Sequence, residues 1–148
     1  KKYPDWQMHI VGDGPLKKDF RRLIAKLGAN AAIHIIPPSI SIEDHYRSSS
    51  IFLITSQWEG FPNALAEALA HGLIAVGLQQ THGVSNLIMS GYNGELLEDK
   101  LTISGLAKTL TNVLDHPDKW ESVSQNAQEI TRQFSGEEWI KRWLRLLA

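Results

Sequence analysis

Two carboxylates, Glu59 and Glu67, stand close together in the stretch 56–72, which reads SQWEGFPNALAEALAHG. Seven residues separate them, and small apolar residues surround Glu67 on the segment that follows Pro62. A helix that is apolar on every side is usually buried, and a carboxylate on it is costly unless a partner compensates its charge. We therefore expect Glu67 to have a binding partner, with a solvated glutamate at the helix edge as the alternative.

The elements around these carboxylates are a strand, a tight loop and a helix. A run of strand type at 51–55 leads into a loop that contains Gly60, and a helix is predicted from Asn63 to His71. Pro62 suits the first helical position, and Gly72 suits the position just past the helix end. Such a unit binds anions at the N-terminus of its helix.

A second glycine turn, Gly12-Asp13-Gly14-Pro15, follows a predicted strand at 7–11. Gly12 and Gly14 would let the backbone approach a ligand closely, and a turn that merely needs glycine is the alternative. Lys17 stands where the G-x-G-x-x-G pattern needs its third glycine, which argues against a nicotinamide site.

Strand-type and helix-type segments alternate along the first two thirds of the chain. This order predicts an α/β fold with a doubly wound parallel sheet, whose ligands bind at the carboxyl ends of the strands. Four loops follow these ends and should rim one cleft: residues 12–14, 37–38, 56–63 and 79–83. The last third is helical, with predicted helices at 102–115, 118–134 and 136–147.

Composition excludes several classes of function. The 148 residues carry a net charge of −1, so nothing attracts the chain generally to nucleic acid. Cysteine is absent, and the six histidines show no metal-ligand spacing, so no metal site is expected. Neither a membrane span nor a signal peptide is apparent, and we expect a cytoplasmic protein that forms one domain over residues 1–148.

The central stretch resembles the paired-glutamate motif of retaining, nucleotide-sugar-dependent glycosyltransferases of family 4, also called group 1. That motif reads S-x-x-E-G-F-P-N-x-x-x-E-A-x-A-x-G, and the chain matches every fixed position from Ser56 to Gly72. The resemblance extends from Ile10 to about Leu97. It implies a three-layer Rossmann-like domain, the donor-binding C-terminal half of a two-domain (GT-B) enzyme used in polysaccharide biosynthesis.

The resemblance also implies roles for the residues of the motif. Glu67 would bind the ribose hydroxyls, and Glu59 would be the catalytic-site carboxylate that binds the donor sugar, with dipole capping by a loop carboxylate as its alternative. The backbone around the sugar and phosphate would come from five residues, Gly60, Phe61, Pro62, Asn63 and Ala64, with Gly12 and Gly14 nearby. The donor is a nucleotide diphosphate sugar, and no cofactor or metal is implied.

Several features depart from the family pattern. The acceptor-binding domain, the usual first strand, and the Arg and Lys that hold the diphosphate would all precede this segment. We therefore expect a fragment that is inactive alone, with a glycan or lipid-linked acceptor bound through the N-terminal domain. Ile74 replaces a common proline, and Asn86 stands where relatives commonly have a glutamate, which puts a donor contact there in doubt.

The last predicted helix has an apolar stripe on one side, formed by Trp139, Ile140, Trp143, Leu144 and Leu147. Such a stripe on a terminal helix usually packs in the core. The resemblance implies instead that it contacts the partner domain, which is the acceptor-binding N-terminal domain. The neighbouring Lys141, Arg142 and Arg145 also allow a membrane-surface interpretation, with the full-length enzyme at the inner membrane face.

Two other classes of function are compatible with these residues. One is a non-catalytic module that binds a nucleotide or carbohydrate or docks a partner enzyme. The other is a two-Rossmann enzyme such as a nucleotide-sugar epimerase. Trp58, inside the motif loop, either packs or lines the cleft.

Overall fold

A computed structural model describes residues 2–38, 41–98 and 100–147, apart from the side chain at position 139. Two compact units make up the chain, Lys1–His45 and Tyr46–Ala148. Each contains parallel strands joined by helical connections, so the predicted α/β class with parallel pairing is confirmed. That residues 1–148 act as one nucleotide-sugar-binding domain stays a prediction.

The first unit is a single strand–helix–strand crossover. Strand β1 (Met8–Val11) pairs in parallel with β2 (Ile33–Ile36), with Met8 opposite Ile33. Helix α1 (Lys17–Lys26) connects the two strands. A parallel pair requires such a crossover, because the chain must return to the same end of the sheet.

The second unit contains a three-stranded parallel sheet. Helix α2 (Ile42–Arg47) precedes β3 (Ile51–Leu53), which pairs with the central strand β4 (Ile74–Leu78), and β5 (Gly94–Leu97) pairs with the other edge of β4. All five residues of β4 are buried. A parallel strand that is covered on both faces is expected to be continuously apolar, and β4 is.

Helices cover both faces of this sheet. On one face, Ala75 packs among buried side chains from the helices that follow β3 and β4 and from the segment near Ile130. On the other face, Ile74 and Val76 pack with Val113 and with partly buried neighbours. The helices of the second unit are α3 (Asn63–Ala70), α4 (His82–Ser85), α5 (Ile103–Asp115), α6 (Trp120–Ala127), α7 (Ile130–Gln133) and α8 (Gly136–Leu147).

The predicted single helix over 118–134 is wrong. The segment begins as a 3₁₀ turn at Pro117–Lys119 and continues as α6, and a turn separates α6 from α7. Within that turn, the N–H of Glu129 donates to Asn126 and the N–H of Thr131 donates to Gln128. These i to i−3 hydrogen bonds tighten the backbone and interrupt the α-helical ladder.

The apolar stripe of α8 is not core in this chain. Ile140, Trp143, Leu144 and Leu147 are exposed, and the side chain of Trp139 lies outside the described part. A contact with a partner domain and a contact with a membrane surface therefore stay predictions. No helix in the described part of the chain combines the length and apolar character needed to cross a membrane.

Gly72 ends α3 as the sequence predicts. Its φ is +79°, and its N–H donates to the Leu69 carbonyl while the N–H of Leu73 donates to the Ala68 carbonyl. This pair of bonds is the Schellman arrangement, which places a left-handed residue just past the helix. A β-carbon at position 72 would also stand 2.6 Å from Oγ of Ser124 on α6. The left-handed conformation therefore requires glycine here, and a β-carbon would in addition displace the Ser124 side chain.

We expect Gly72→Ala to lower the free energy of unfolding by about 1–3 kcal/mol, from left-handed backbone strain and overpacking together. Urea denaturation followed by circular dichroism measures this loss. Gly136→Ala is the matched control, because a β-carbon there meets nothing within 4 Å and φ is not in the left-handed region. Equal stability of the two variants would contradict the assignment.

Candidate functional site

The loops that follow β3 and β4 are joined by a hydrogen bond from a buried side chain. Thr81 is 2% exposed, and its Oγ1 donates to the backbone carbonyl of Ser56 at 2.7 Å. Ser56 begins the motif loop, and Thr81 is also the residue just before α4. The carboxyl ends of two neighbouring strands are thus tied together, as the prediction of a shared cleft requires for the loops 56–63 and 79–83.

Gly83 brings the two loops into backbone contact. A β-carbon at position 83 would overlap the carbonyl oxygen of Gly60 and lie 2.6 Å from that of Glu59. These are main-chain atoms, which do not move aside as a flexible side chain would. Glycine at position 83 therefore allows the close approach that fixes where the Glu59-Gly60 segment lies.

The N-terminus of α3 opens out of this loop. Pro62 is the N-cap residue rather than the first helical residue, one position earlier than predicted, and its carbonyl accepts from the N–H groups of Leu65 and Ala66. The N–H groups of Asn63 and Ala64 belong to the first turn of α3. N–H groups in the first turn of a helix have no carbonyl acceptor within that helix. Donors in this position suit an anionic ligand, and a binding role for Asn63 and Ala64 stays a prediction.

Phe61 joins this loop to the end of α7. Its ring lies 5.1 Å from the ring of Phe134, centroid to centroid, although Phe61 is itself exposed. Pro62 beside it is buried. Phe61 and Pro62 therefore pack the loop against the rest of the second unit immediately before α3 begins.

Glu67 lies on α3 with its carboxylate exposed and bound by a buried phenol. The hydroxyl of Tyr46, a residue 6% exposed, lies 3.1 Å from Oε2 of Glu67 and 3.3 Å from the Ala64 carbonyl oxygen. Burial, and then the hydrogen bond and negative charge of Glu67, raise the pKa of Tyr46 to about 12. The phenol stays neutral and donates. The expected partner of Glu67 and the alternative of a solvated glutamate are therefore both partly correct, because the side chain is accessible to solvent and also accepts a hydrogen bond from Tyr46.

Aromatic rings surround this hydrogen bond. The ring of Tyr46 lies 5.3 Å from that of His71 and 6.2 Å from that of Phe52. Nδ1 of His71 lies 2.9 Å from the Glu67 carbonyl oxygen, which accepts only, so this nitrogen donates. Tyr46 is a residue of the site that was not predicted from the sequence. Its signal was a lone tyrosine on a short helix, since a buried tyrosine hydroxyl usually has a partner.

Glu59 and Trp58 line an open cleft of about 480 Å³ at the carboxyl ends of the strands of the second unit. Five polar and two apolar residues also line it: Gln57, Gln80, Thr81, His82, Lys100, Leu78 and Leu101. Trp58 is 90% exposed, so it lines the cleft and does not pack into the core. Glu67 is not among the residues that form this cleft.

Gly12 and Gly14 lie in the first unit, in the turn after β1. Gly12 has φ of +148°, so the turn conformation requires glycine there, whereas φ of Gly14 is not positive. The carboxylate of Asp13 accepts from the Gly14 N–H at 2.8 Å and from the Lys17 ammonium at 3.1 Å, and these bonds lower the pKa of Asp13. That Gly12 and Gly14 contact the same ligand as Glu59 and Glu67 stays a prediction.

Three histidines that looked scattered come together in the first unit. The ring of His9 lies 5.7 Å from that of His34 and 6.1 Å from that of His45, edge-on in both cases. In the described ranges 2–38, 41–98 and 100–147, no three histidine or acidic side chains are placed to hold a metal ion.

Comparison with known proteins gives the family context of this site. The family model for glycosyl transferases group 1 matches residues 1–130. An uncharacterized glycosyltransferase of Haemophilus influenzae is 31% identical over 147 residues, which cover 99% of this chain and 41% of that protein. A lipopolysaccharide 1,6-galactosyltransferase of Salmonella typhimurium is 31% identical over 99 residues, covering 62% of this chain and 27% of that protein.

A solved structure shows the same fold. Anabaena HepE in complex with UDP superposes with a TM-score of 0.86 at 20% identity, over 97% of this chain and 41% of that chain. The predicted GT-B type of fold is thereby confirmed. The chain spans about two fifths of the first of these relatives.

We expect Tyr46→Phe to change how stability depends on pH. The pKa of Tyr46 in the folded chain, about 12, lies above its ordinary value of 10.0, so the neutral phenol stabilises the fold fully below pH 10. This contribution is lost as pH rises from 10 toward 12. Urea unfolding across that range should show a fall in stability for the wild type that Tyr46→Phe reduces.

Tyr92→Phe is the control for this experiment. It removes an exposed tyrosine hydroxyl that also donates to a glutamate, Glu129, at 2.7 Å. Because solvent screens an exposed group, its pH dependence should stay near that of the wild type. If the free energy of unfolding falls equally steeply with pH in Tyr46→Phe and the wild type, burial and the hydrogen bond to Glu67 do not keep the Tyr46 phenol neutral in the folded chain.

Proposed function

Since the chain belongs to the glycosyl transferases group 1 family, we propose that it binds the nucleotide diphosphate sugar of a retaining glycosyltransferase. The observation that carries this proposal is Glu67, an exposed carboxylate oriented by a buried tyrosine, on a helix whose other residues after Asn63 are alanine and leucine. A glutamate that was only solvated would not require a hydrogen bond from a buried tyrosine. A ligand with hydroxyl groups uses such an acceptor well.

The proposed roles follow the positions of the two glutamates. Glu67 accepts hydrogen bonds from the ribose hydroxyls of the nucleotide, and Glu59 accepts from the hydroxyls of the donor sugar. The N–H groups of Asn63 and Ala64 face the phosphate and sugar oxygens at the start of α3. Gly12 and Gly14, in the glycine turn, bring the backbone close to the donor.

Sugar transfer develops positive charge at the anomeric carbon and negative charge on the departing diphosphate. A site accelerates this step by orienting the sugar and stabilising the diphosphate with donors that are already in place. In this chain the α3 N-terminus supplies part of that stabilisation, and Glu59 orients the sugar. We propose that no separate cofactor or metal takes part.

The acceptor is proposed to be a glycan or a lipid-linked saccharide. The name of the Salmonella relative, a lipopolysaccharide galactosyltransferase, supports this class of acceptor. Most contacts with the acceptor would be made by the part of the full enzyme that corresponds to the region of these relatives that this chain does not cover. The chain alone would then bind donor without completing the transfer.

Glu67→Ala should lower the affinity for UDP about tenfold or more, because a charge-assisted hydrogen bond is worth about 1.5–3 kcal/mol. UDP is the probe because the superposed HepE structure contains it. Saturation-transfer NMR measures the affinity. Glu121→Ala, which removes an exposed glutamate on α6, is the matched control.

The fold should survive Glu67→Ala, because Tyr46 keeps an acceptor in the Ala64 carbonyl. Circular dichroism melting verifies this before the affinities are compared. An unchanged UDP affinity in a folded Glu67→Ala protein would remove Glu67 from the nucleotide site.

Glu59→Gln should affect the sugar more than the nucleotide. We expect the affinity for UDP-glucose or UDP-N-acetylglucosamine to fall about tenfold while the affinity for UDP changes little, because the lost charge meets only sugar hydroxyls. The ratio of the two dissociation constants is the measurement. If the ratio is the same in Glu59→Gln and in the wild type, the sugar-binding role of Glu59 is incorrect.

A further inference from the structure

Trp58 is an exposed aromatic residue on a fixed loop. Its side chain is 90% exposed, yet the backbone on either side is held, at Ser56 by the Thr81 hydrogen bond and at Glu59 by the packing of Gly83. An indole in water loses the free energy that burial of so large an apolar surface would give. A fixed loop that keeps the indole exposed is suited to receive a flat apolar surface.

The cleft beside Trp58 combines this apolar wall with hydrogen-bonding groups. The side-chain amides of Gln57 and Gln80 both donate and accept, the carboxylate of Glu59 accepts, and the ammonium of Lys100 donates. Leu101 adds a second apolar surface. A volume of about 480 Å³ is in the usual range for small-molecule sites.

A saccharide matches these two kinds of surface. One face of a pyranose ring presents C–H groups that pack on an indole, and its edge presents hydroxyls that donate and accept. A nucleotide base also stacks on tryptophan, but the nucleotide end of the donor is assigned to Glu67, which does not line this cleft. Glu59, assigned to the sugar end, does line it.

We propose that this cleft is a saccharide subsite in which Trp58 is the stacking platform for a sugar of the acceptor. The proposal rests on the proposed function, because it extends the site from Glu59, where the donor sugar lies. An acceptor must approach the anomeric carbon from the sugar side of the donor. The donor-binding part of the chain would then contribute directly to acceptor selection.

The test is fluorine NMR of the protein labelled with 5-fluorotryptophan. The probes are methyl α-glucoside, methyl α-galactoside, methyl α-N-acetylglucosaminide, maltose and melibiose, each titrated without nucleotide. Trp58→Phe identifies the Trp58 resonance by its loss. At least one saccharide should shift that resonance in a saturable way, while the resonances of the other four tryptophans stay unchanged as internal controls.

Affinity measurements with the same saccharide complete the test. Trp58→Ala should weaken its binding about tenfold, which corresponds to about 1.4 kcal/mol, and Trp58→Phe should retain most of the affinity because it keeps an aromatic face. Both variants should melt like the wild type, since the replaced side chain is exposed. UDP affinity should be the same in all three proteins.

Four results would overturn the subsite. They are displacement of the bound saccharide by UDP-glucose or UDP-N-acetylglucosamine, which would make the cleft the donor-sugar site; no shift of the Trp58 resonance with any probe; equal saccharide affinity in Trp58→Ala and the wild type; or a loss of UDP affinity in Trp58→Ala as large as the loss of saccharide affinity. The last result would make Trp58 part of the nucleotide site. The proposed function fails separately, through UDP binding that does not depend on Glu67.

Discussion

The candidate site depends on how two loops are held against each other at the carboxyl ends of β3 and β4. A buried threonine hydroxyl donates to one loop, and a glycine without a β-carbon allows the backbones to touch beside it. Both contacts involve main-chain atoms of the motif loop, so they set its path whatever side chains it carries. Glu59, Trp58 and the start of α3 take their positions from this junction.

The second constraint is electrostatic. The carboxylate of Glu67 lies on α3, whose other residues after Asn63 are alanine and leucine. It is acceptable there because its headgroup reaches solvent and one oxygen receives a hydrogen bond from Tyr46. The phenol in turn is acceptable in the core because it has that acceptor. Each group is thus a hydrogen-bond partner of the other, and Tyr46 also has the Ala64 carbonyl within reach.

Local features of the fold could be predicted from the sequence. The strand–loop–helix unit around the motif, the ending of α3 at Gly72 and the parallel class of the sheet all follow from runs of residues and from glycine and proline positions. The turn between α6 and α7 could not be predicted, because the amphipathic pattern continues through it and only i to i−3 backbone bonds reveal it.

The long-range hydrogen-bond partners in the site could not be predicted from the sequence pattern either. Tyr46 is 21 residues from Glu67, and Thr81 is 25 residues from Ser56, so no local spacing connects them. The two glutamates could be selected because the motif is contiguous. What orients them depends on which strands become neighbours, and that is a property of the folded chain.

The bond between Tyr46 and Glu67 has a consequence for conformational entropy. A free glutamate side chain samples many rotamers, and ordering it costs up to about 1.5–2 kcal/mol. Here folding itself restricts those rotamers, because one carboxylate oxygen is already held at 3.1 Å from the phenol. The ordering cost therefore falls on the folding of the second unit, and a ligand that meets Glu67 encounters a side chain with little freedom left to lose.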